Sequence, residues 1–211
     1  MFSDRRDAGR QLAARLHRYS GTNVLVLGLA GGGLGVAAET AASLGAPLDA
    51  LVVRELTLSD GAPVGAISEG RVRVLDEAAV RQAKAGDEEI RGLERRARAD
   101  ARTLGLRLRS GRPRRPLTGR AAIVVDDGAA SRPVLDVACR DARAEGAARV
   151  VVAVPAASPA DVDNLRTVAD EVVCLLSPAF FTTASDFYLD FRPVAEADLT
   201  RLIVRAAEYT A

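Results

Sequence analysis

The chain has no tryptophan, one histidine, one methionine and two cysteines in 211 residues. Cys139 and Cys174 fall in a predicted helix and a predicted strand. With no third cysteine and no clustered histidine, they offer neither a disulfide framework nor a zinc site and read as small buried hydrophobes. His17 has no second histidine or nucleophile nearby and reads as a surface or packing residue. No apolar run approaches the roughly 20 residues that span a bilayer. Charges precede any apolar segment at the N-terminus, so no signal peptide is expected. The expectation is a cytoplasmic protein without a membrane partner. An excess of either charge is missing too: 29 Lys and Arg stand against 28 Asp and Glu. No global field recruits nucleic acid, which is not an expected partner.

What the chain has is Ala, Val and Leu, with 48% of residues hydrophobic. Short apolar runs near residues 24, 50, 122, 150 and 172 alternate with helical periodicity. That order predicts an α/β fold with a mainly parallel central sheet flanked by helices, in one domain over residues 1–211. Residues 64–75 alternate around Glu69-Gly70 as a β-hairpin. Residues 77–108 read as one highly charged helix, and the loop RSGRPRRP follows it, so 77–116 forms a charged helical insertion. Its arginines suit a phosphate or nucleic acid, but no aromatics interleave with them, and a solvated face is the commoner use. Residues 178–195 hold five of the eight aromatics, in FFTTASDFYLDF. They read either as a stacking lid over a flat ligand, with Phe187 or Tyr188 as the platform, or as plugs pinning a C-terminal segment. A helix over residues 196–209 closes the chain.

Two turns carry the chemistry. The first, GLAGGGLG, follows the strand NVLVL and opens a helix. Its glycines, Gly31 and Gly32 among them, let backbone approach an anion at a helix N-terminus. The second follows the apolar run at residues 121–125: Asp126 and Asp127, then Gly128, Ala129, Ala130, Ser131 and Arg132. Arg54 follows a third strand. Parallel sheets open such turns on one edge, where they can surround one ligand.

The pattern VVDDGAASRPVL resembles the phosphoribosyl-diphosphate motif of phosphoribosyltransferases: a hydrophobic strand, two acids, then a small-residue turn into a helix. GLAGGG looks like that family's diphosphate loop, LVVRE like its following strand, and the aromatic tail like its base-covering hood. The resemblance reaches most of the chain. It implies that Asp126 and Asp127 hold ribose hydroxyls and that residues 128–132 cradle a 5′-phosphate. It further implies Mg2+ accompanying a diphosphate, and a ribose phosphate or nucleotide as partner; a homodimer is a separate expectation that no residue pattern specifies.

The departures are as informative. Where relatives have Thr-Gly, this chain has Ser131-Arg132, followed by Pro133, which has no N–H to donate. Ala30-Gly31-Gly32-Gly33 lacks the arginine of the family's loop, and Glu55 stands where a lysine follows Arg54's counterpart. Each hydrogen bond to a charged group contributes about 1.5–3 kcal/mol. Losing two or three weakens binding by roughly two to six orders of magnitude. Pro133 remains comfortable in a first helical turn, and Arg132 offers a new cation. Two readings therefore stand side by side: a phosphoribosyltransferase-like enzyme with an altered site and no identifiable general base, or a non-catalytic nucleotide-sensing or partner-binding module. A dinucleotide fingerprint, Gly28-x-Ala30-x-x-Gly33 with Glu55 as the ribose acid, is a third and leaves Asp126-Asp127 unexplained.

Overall fold

Short, continuously apolar strands form the centre of the molecule. The computed structural model describes residues 1–128 and 130–208. Five strands, β1 (Val24–Leu29), β2 (Leu48–Leu51), β6 (Ala121–Val125), β7 (Arg149–Ala156) and β8 (Glu171–Leu176), form one sheet in the order β2-β1-β6-β7-β8. All four pairings are parallel. Because successive side chains point to opposite faces, Val26, Ile123 and Val151 enter one apolar layer while Leu25, Leu27, Val124 and Val152 enter the other. Helices α1 (Arg5–Arg15), α2 (Gly32–Leu44) and α7 (Glu196–Glu208) cover the first face. Helices α5 (Arg132–Ala144) and α6 (Pro159–Leu165) cover the second. Asp4 caps α1 by accepting from the Asp7 amide, and Ser158 caps α6 by accepting from Asp161. This is the mainly parallel, helix-flanked α/β sheet that the sequence predicts.

The region after β2 departs from the sequence reading. Strand β3 (Val53–Thr57) does not extend the central sheet. It pairs antiparallel with β4 (Pro63–Ser68), and β4 pairs with β5 (Arg73–Leu75), giving a second sheet with the predicted hairpin inside it. Leu56, Val64, Ile67, Ile90 and Ala97 form a separate core beneath it. The predicted single helix over 77–108 is two, α3 (Glu77–Gln82) and α4 (Asp87–Leu108). The break falls where Lys84 takes a left-handed φ of 54° and Gly86 caps the second helix. Three acids in the first turn of α4 then face its positive dipole end.

The basic loop is not a solvated or ligand-seeking surface. Arg109 is buried, ion-paired with Glu69, and donates to the Ala50 carbonyl at 3.2 Å. Arg114 donates to buried Asp141 on α5 at 2.7 Å, and the Arg115 amide donates to buried Asp49 at 2.7 Å. The loop thus straps the hairpin, the end of β2 and α5 together. Of the cysteines, Cys139 is fully buried, and burial pushes its thiol up to about 12. His17 is exposed in a short 3-10 turn, its ring against the Ala14 carbonyl. Among the described residues no helix is long and apolar enough to cross a membrane.

Candidate functional site

From β1 the chain turns to one side of the sheet and from β6 to the other. Helices α2 and α5 therefore start from the carboxyl ends of adjacent strands, the point where open α/β sheets bind ligands. The two turns meet there. Gly31 has φ 133° and open space where a side chain would stand. At Gly32 a Cβ would overlap the Asp127 carboxylate, and at Gly33 it would press on Asp126 at 3.0 Å. The glycines thus let the α2 turn seat itself on the acid turn, while Gly31 faces outward.

Asp126 and Asp127 are brought together, and both are buried. Asp126 Oδ2 accepts from the amides of Gly128 at 2.8 Å and Ala130 at 2.9 Å, which folds the turn back on itself. Burial, reinforced by the charge of Asp127, pushes the Asp126 carboxyl up to about 7, with the amide bonds opposing the shift. Asp127 pairs with Arg5 of α1, Nε to Oδ2 at 2.9 Å. Arg5 also donates to the Arg192 carbonyl at 2.8 Å and lies 4.0 Å over the Phe191 ring. Both acids that the family resemblance assigns to a ribose thus have partners inside the protein.

The rest of the turn leads into α5. Gly128 takes φ 95°, and a Cβ there would overlap the Ala156 carbonyl. Ala129 lies outside the described residues. Ala130 is half-buried, and Arg132 is exposed at the first helical position. No side chain caps α5, because Ser131, although it occupies the N-cap, turns its hydroxyl away and donates to Glu55 Oε1 at 2.7 Å. Gly128, Ala130, Arg132 and Phe181 line a cavity of about 30 Å³ beside the loop. It has room for a water molecule and not for a nucleotide.

Arg54 and Glu55 are neighbours in β3 and point to opposite faces. Glu55 reaches the loop. The charge of Arg54 acts instead on Glu196 at the start of α7, whose carboxyl is held below its usual range chiefly by hydrogen bonding to Arg107. Arg54 therefore turns away from the loop, on the face of β3 opposite Glu55. The departure of β3 from the central sheet removes Glu55 from the end of β2, where a dinucleotide's ribose acid belongs. In the aromatic segment, Tyr188 is buried, donates its hydroxyl to the Asp127 carbonyl at 2.9 Å and packs on Phe2 and Phe191. Phe187 is half-buried and stacks on Phe181, centroids 5.5 Å apart and nearly parallel. The plug and lid readings thus divide by residue: Tyr188 pins the segment, while the Phe181–Phe187 stack adjoins the loop. Sequence reasoning missed Arg5 and Phe181, and it saw Glu55 as a reversed charge or a dinucleotide's ribose acid, not as the partner of Ser131. Arg5 carried no local signal beyond lying on an amphipathic helix.

Magnesium, implied by the resemblance, needs several hard oxygen ligands in near-octahedral array. The residues do not fit a protein-built site. Asp126 is committed to amides, Asp127 to a guanidinium, and among the described residues no cluster of three or more His, Cys, Asp or Glu could hold a metal ion.

The chain as a whole is similar to known proteins. Residues 4–192 match the family described as the phosphoribosyl transferase domain. Two Mycobacterium tuberculosis proteins, one from strain CDC 1551 and one from strain H37Rv, are named as phosphoribosyl transferases. Each is 44% identical to this chain over 98% of its length. The chain spans about half the length of these relatives, 47%. A crystal structure of a Thermus thermophilus protein superposes with TM-score 0.82 at 37% identity, covering 97% of this chain and 98% of that one.

Proposed function

The chain belongs to the phosphoribosyltransferase family, and from that premise we propose that it binds a ribose phosphate or nucleotide at residues 128–132. The observation that carries the reading is the uncapped N-terminus of α5 at the β1–β6 switch point, held open by the bonds of Asp126 to its own turn. A 13-residue helix beginning there offers a phosphate its positive dipole end and the Arg132 amide, since Pro133 has no N–H and the Val134 and Leu135 amides donate to the Ser131 carbonyl at 3.0 and 3.2 Å. Exposed Arg132 supplies a cation. Outward-facing Gly31 borders the same edge, and the Phe181–Phe187 stack offers a face to a base. No step of the proposed binding runs through magnesium.

Calorimetric titration with ribose 5-phosphate tests this. Saturable binding is expected, weakened about tenfold in Arg132→Ala and unchanged in the remote Arg95→Ala. Binding that ignores Arg132, or no binding, overturns it.

A second reading, binding without transfer, is favoured by one observation: the Asp127 carboxylate is already paired with Arg5. Incubation with phosphoribosyl diphosphate, magnesium and a panel of purine and pyrimidine bases, followed by a diphosphate assay, separates the two. Diphosphate release with nucleotide formation supports the transferase; ligand binding without release supports the module.

A further inference from the structure

Ser131 is an N-cap serine that does not cap. Serine at this position ordinarily turns its hydroxyl to the second or third amide of its helix. Here the hydroxyl donates to Glu55, a residue 76 positions away on the second sheet. Glu55 is exposed, and among the described residues no cation forms an ion pair with it. An uncompensated carboxylate therefore stands at the mouth of a turn in which the Gly128 and Ala130 amides are held by Asp126, and the groups left for an anion are the helix N-terminus and the Arg132 guanidinium.

Resting on the reading that this turn takes a ribose phosphate, we infer that Glu55 is a specificity-determining residue of the site. It acts as a resident anion that occupies Ser131 and competes with the ligand's phosphate. A phosphate oxygen on the Ser131 hydroxyl and the Glu55 carboxylate cannot both accept the single hydroxyl proton. A phosphate must therefore break the Ser131–Glu55 bond, and the displaced carboxylate then repels it at short range. The arrangement discriminates against bare phosphate, which has only the turn to hold it. It passes ligands whose ribose and base add contacts elsewhere. The resident anion also explains how Ser131 keeps a partner while the helix above it stays uncapped.

The test titrates ribose 5-phosphate and inorganic phosphate into the wild-type chain and into Glu55→Gln, Glu55→Ala, Ser131→Ala and the Glu55→Ala/Ser131→Ala pair. Thermal unfolding checks that each is folded. Releasing a hydrogen bond to a charged group and removing the repulsion is expected to tighten ribose 5-phosphate binding roughly ten- to hundredfold in both Glu55 variants. The gain for inorganic phosphate should be at least as large. It should shrink when Ser131→Ala is already present, because the contested hydroxyl is gone. Equal or weaker binding in the Glu55 variants, with the wild type still binding ribose 5-phosphate, overturns the inference and leaves the proposed site standing. No binding of ribose 5-phosphate by any of the five proteins overturns the site itself and the inference with it.

Discussion

Gly32 is the residue at which one added carbon has the largest predicted effect. Its α2 turn is pressed onto Asp127 and Arg5, so a methyl group must displace a buried ion pair. Gly32→Ala is expected to cost about 1–3 kcal/mol, read as a lowered urea midpoint. At Asp126 the effect depends on pH. The folded chain keeps that proton up to about 7, whereas the ordinary value is 3.8. Between the two, the folded state binds more protons than the unfolded state, so stability falls as pH rises through this window. Asp126→Asn removes the dependence. It should be more stable than wild type near about pH 8, on the order of 2–4 kcal/mol, and the advantage should vanish near about pH 4. Denaturation series at the two pH values decide this. The acid pair itself was legible, since two carboxylates after an apolar strand are a local pattern. Their commitments to amides and to Arg5 were not, because burial depends on what packs above them.

Among the elements, the basic loop is the one whose solvated reading the structure overturns. Arg109 and Arg114 look like solvated charges because the acids that neutralise them are remote, Glu69 at a separation of 40 residues and Asp141 at 27. Removing one member of such a buried cluster leaves an uncompensated charge. Glu69→Ala is therefore expected to cost about 3–5 kcal/mol, and Glu88→Ala, which breaks exposed pairs on α4, less than about 1 kcal/mol. Equal small losses in both would show that the strap is not a buried ionic joint. Strand β3 follows β2 almost at once, and no local signal marks it as belonging to a second sheet. Its pairing with β4 places it there, with the Glu55 carboxylate toward the loop. The strands of the central sheet needed no such information, since their continuous apolar runs announce burial on both faces.

For the whole molecule, Arg5 is the residue through which distant parts of the chain are joined. It connects α1 to the acid turn through Asp127 and to the segment after β8 through Arg192 and Phe191. The same segment is tied to the N-terminus by the Leu189 and Asp190 amides, which donate to the Phe2 and Ser3 carbonyls at 2.8 and 3.0 Å. Arg5→Met keeps the apolar stem and removes the charge. It should loosen this closure locally, raising hydrogen exchange at Leu189 and Asp190 by about tenfold or more while amides of β6 and β7 keep their protection. Unchanged exchange at both sites would mean that the aromatic contacts of Phe2, Tyr188 and Phe191 hold the segment alone.

The parallel α/β sheet, the succession of its strands and helices along the chain, and the meeting of a glycine turn with an acid turn at one edge are all legible in the residues alone. Those features follow from periodicity and turn chemistry within short windows. Which charge neutralises which, and which hydroxyl meets which carboxylate, emerges only on folding: Arg5 with Asp127, Glu55 with Ser131, Arg109 with Glu69, at separations of 122, 76 and 40 residues. A side chain's partner is set by the packing of whole elements, and no local pattern carries it. The proposed access of a ribose phosphate to the turn rests on those partners.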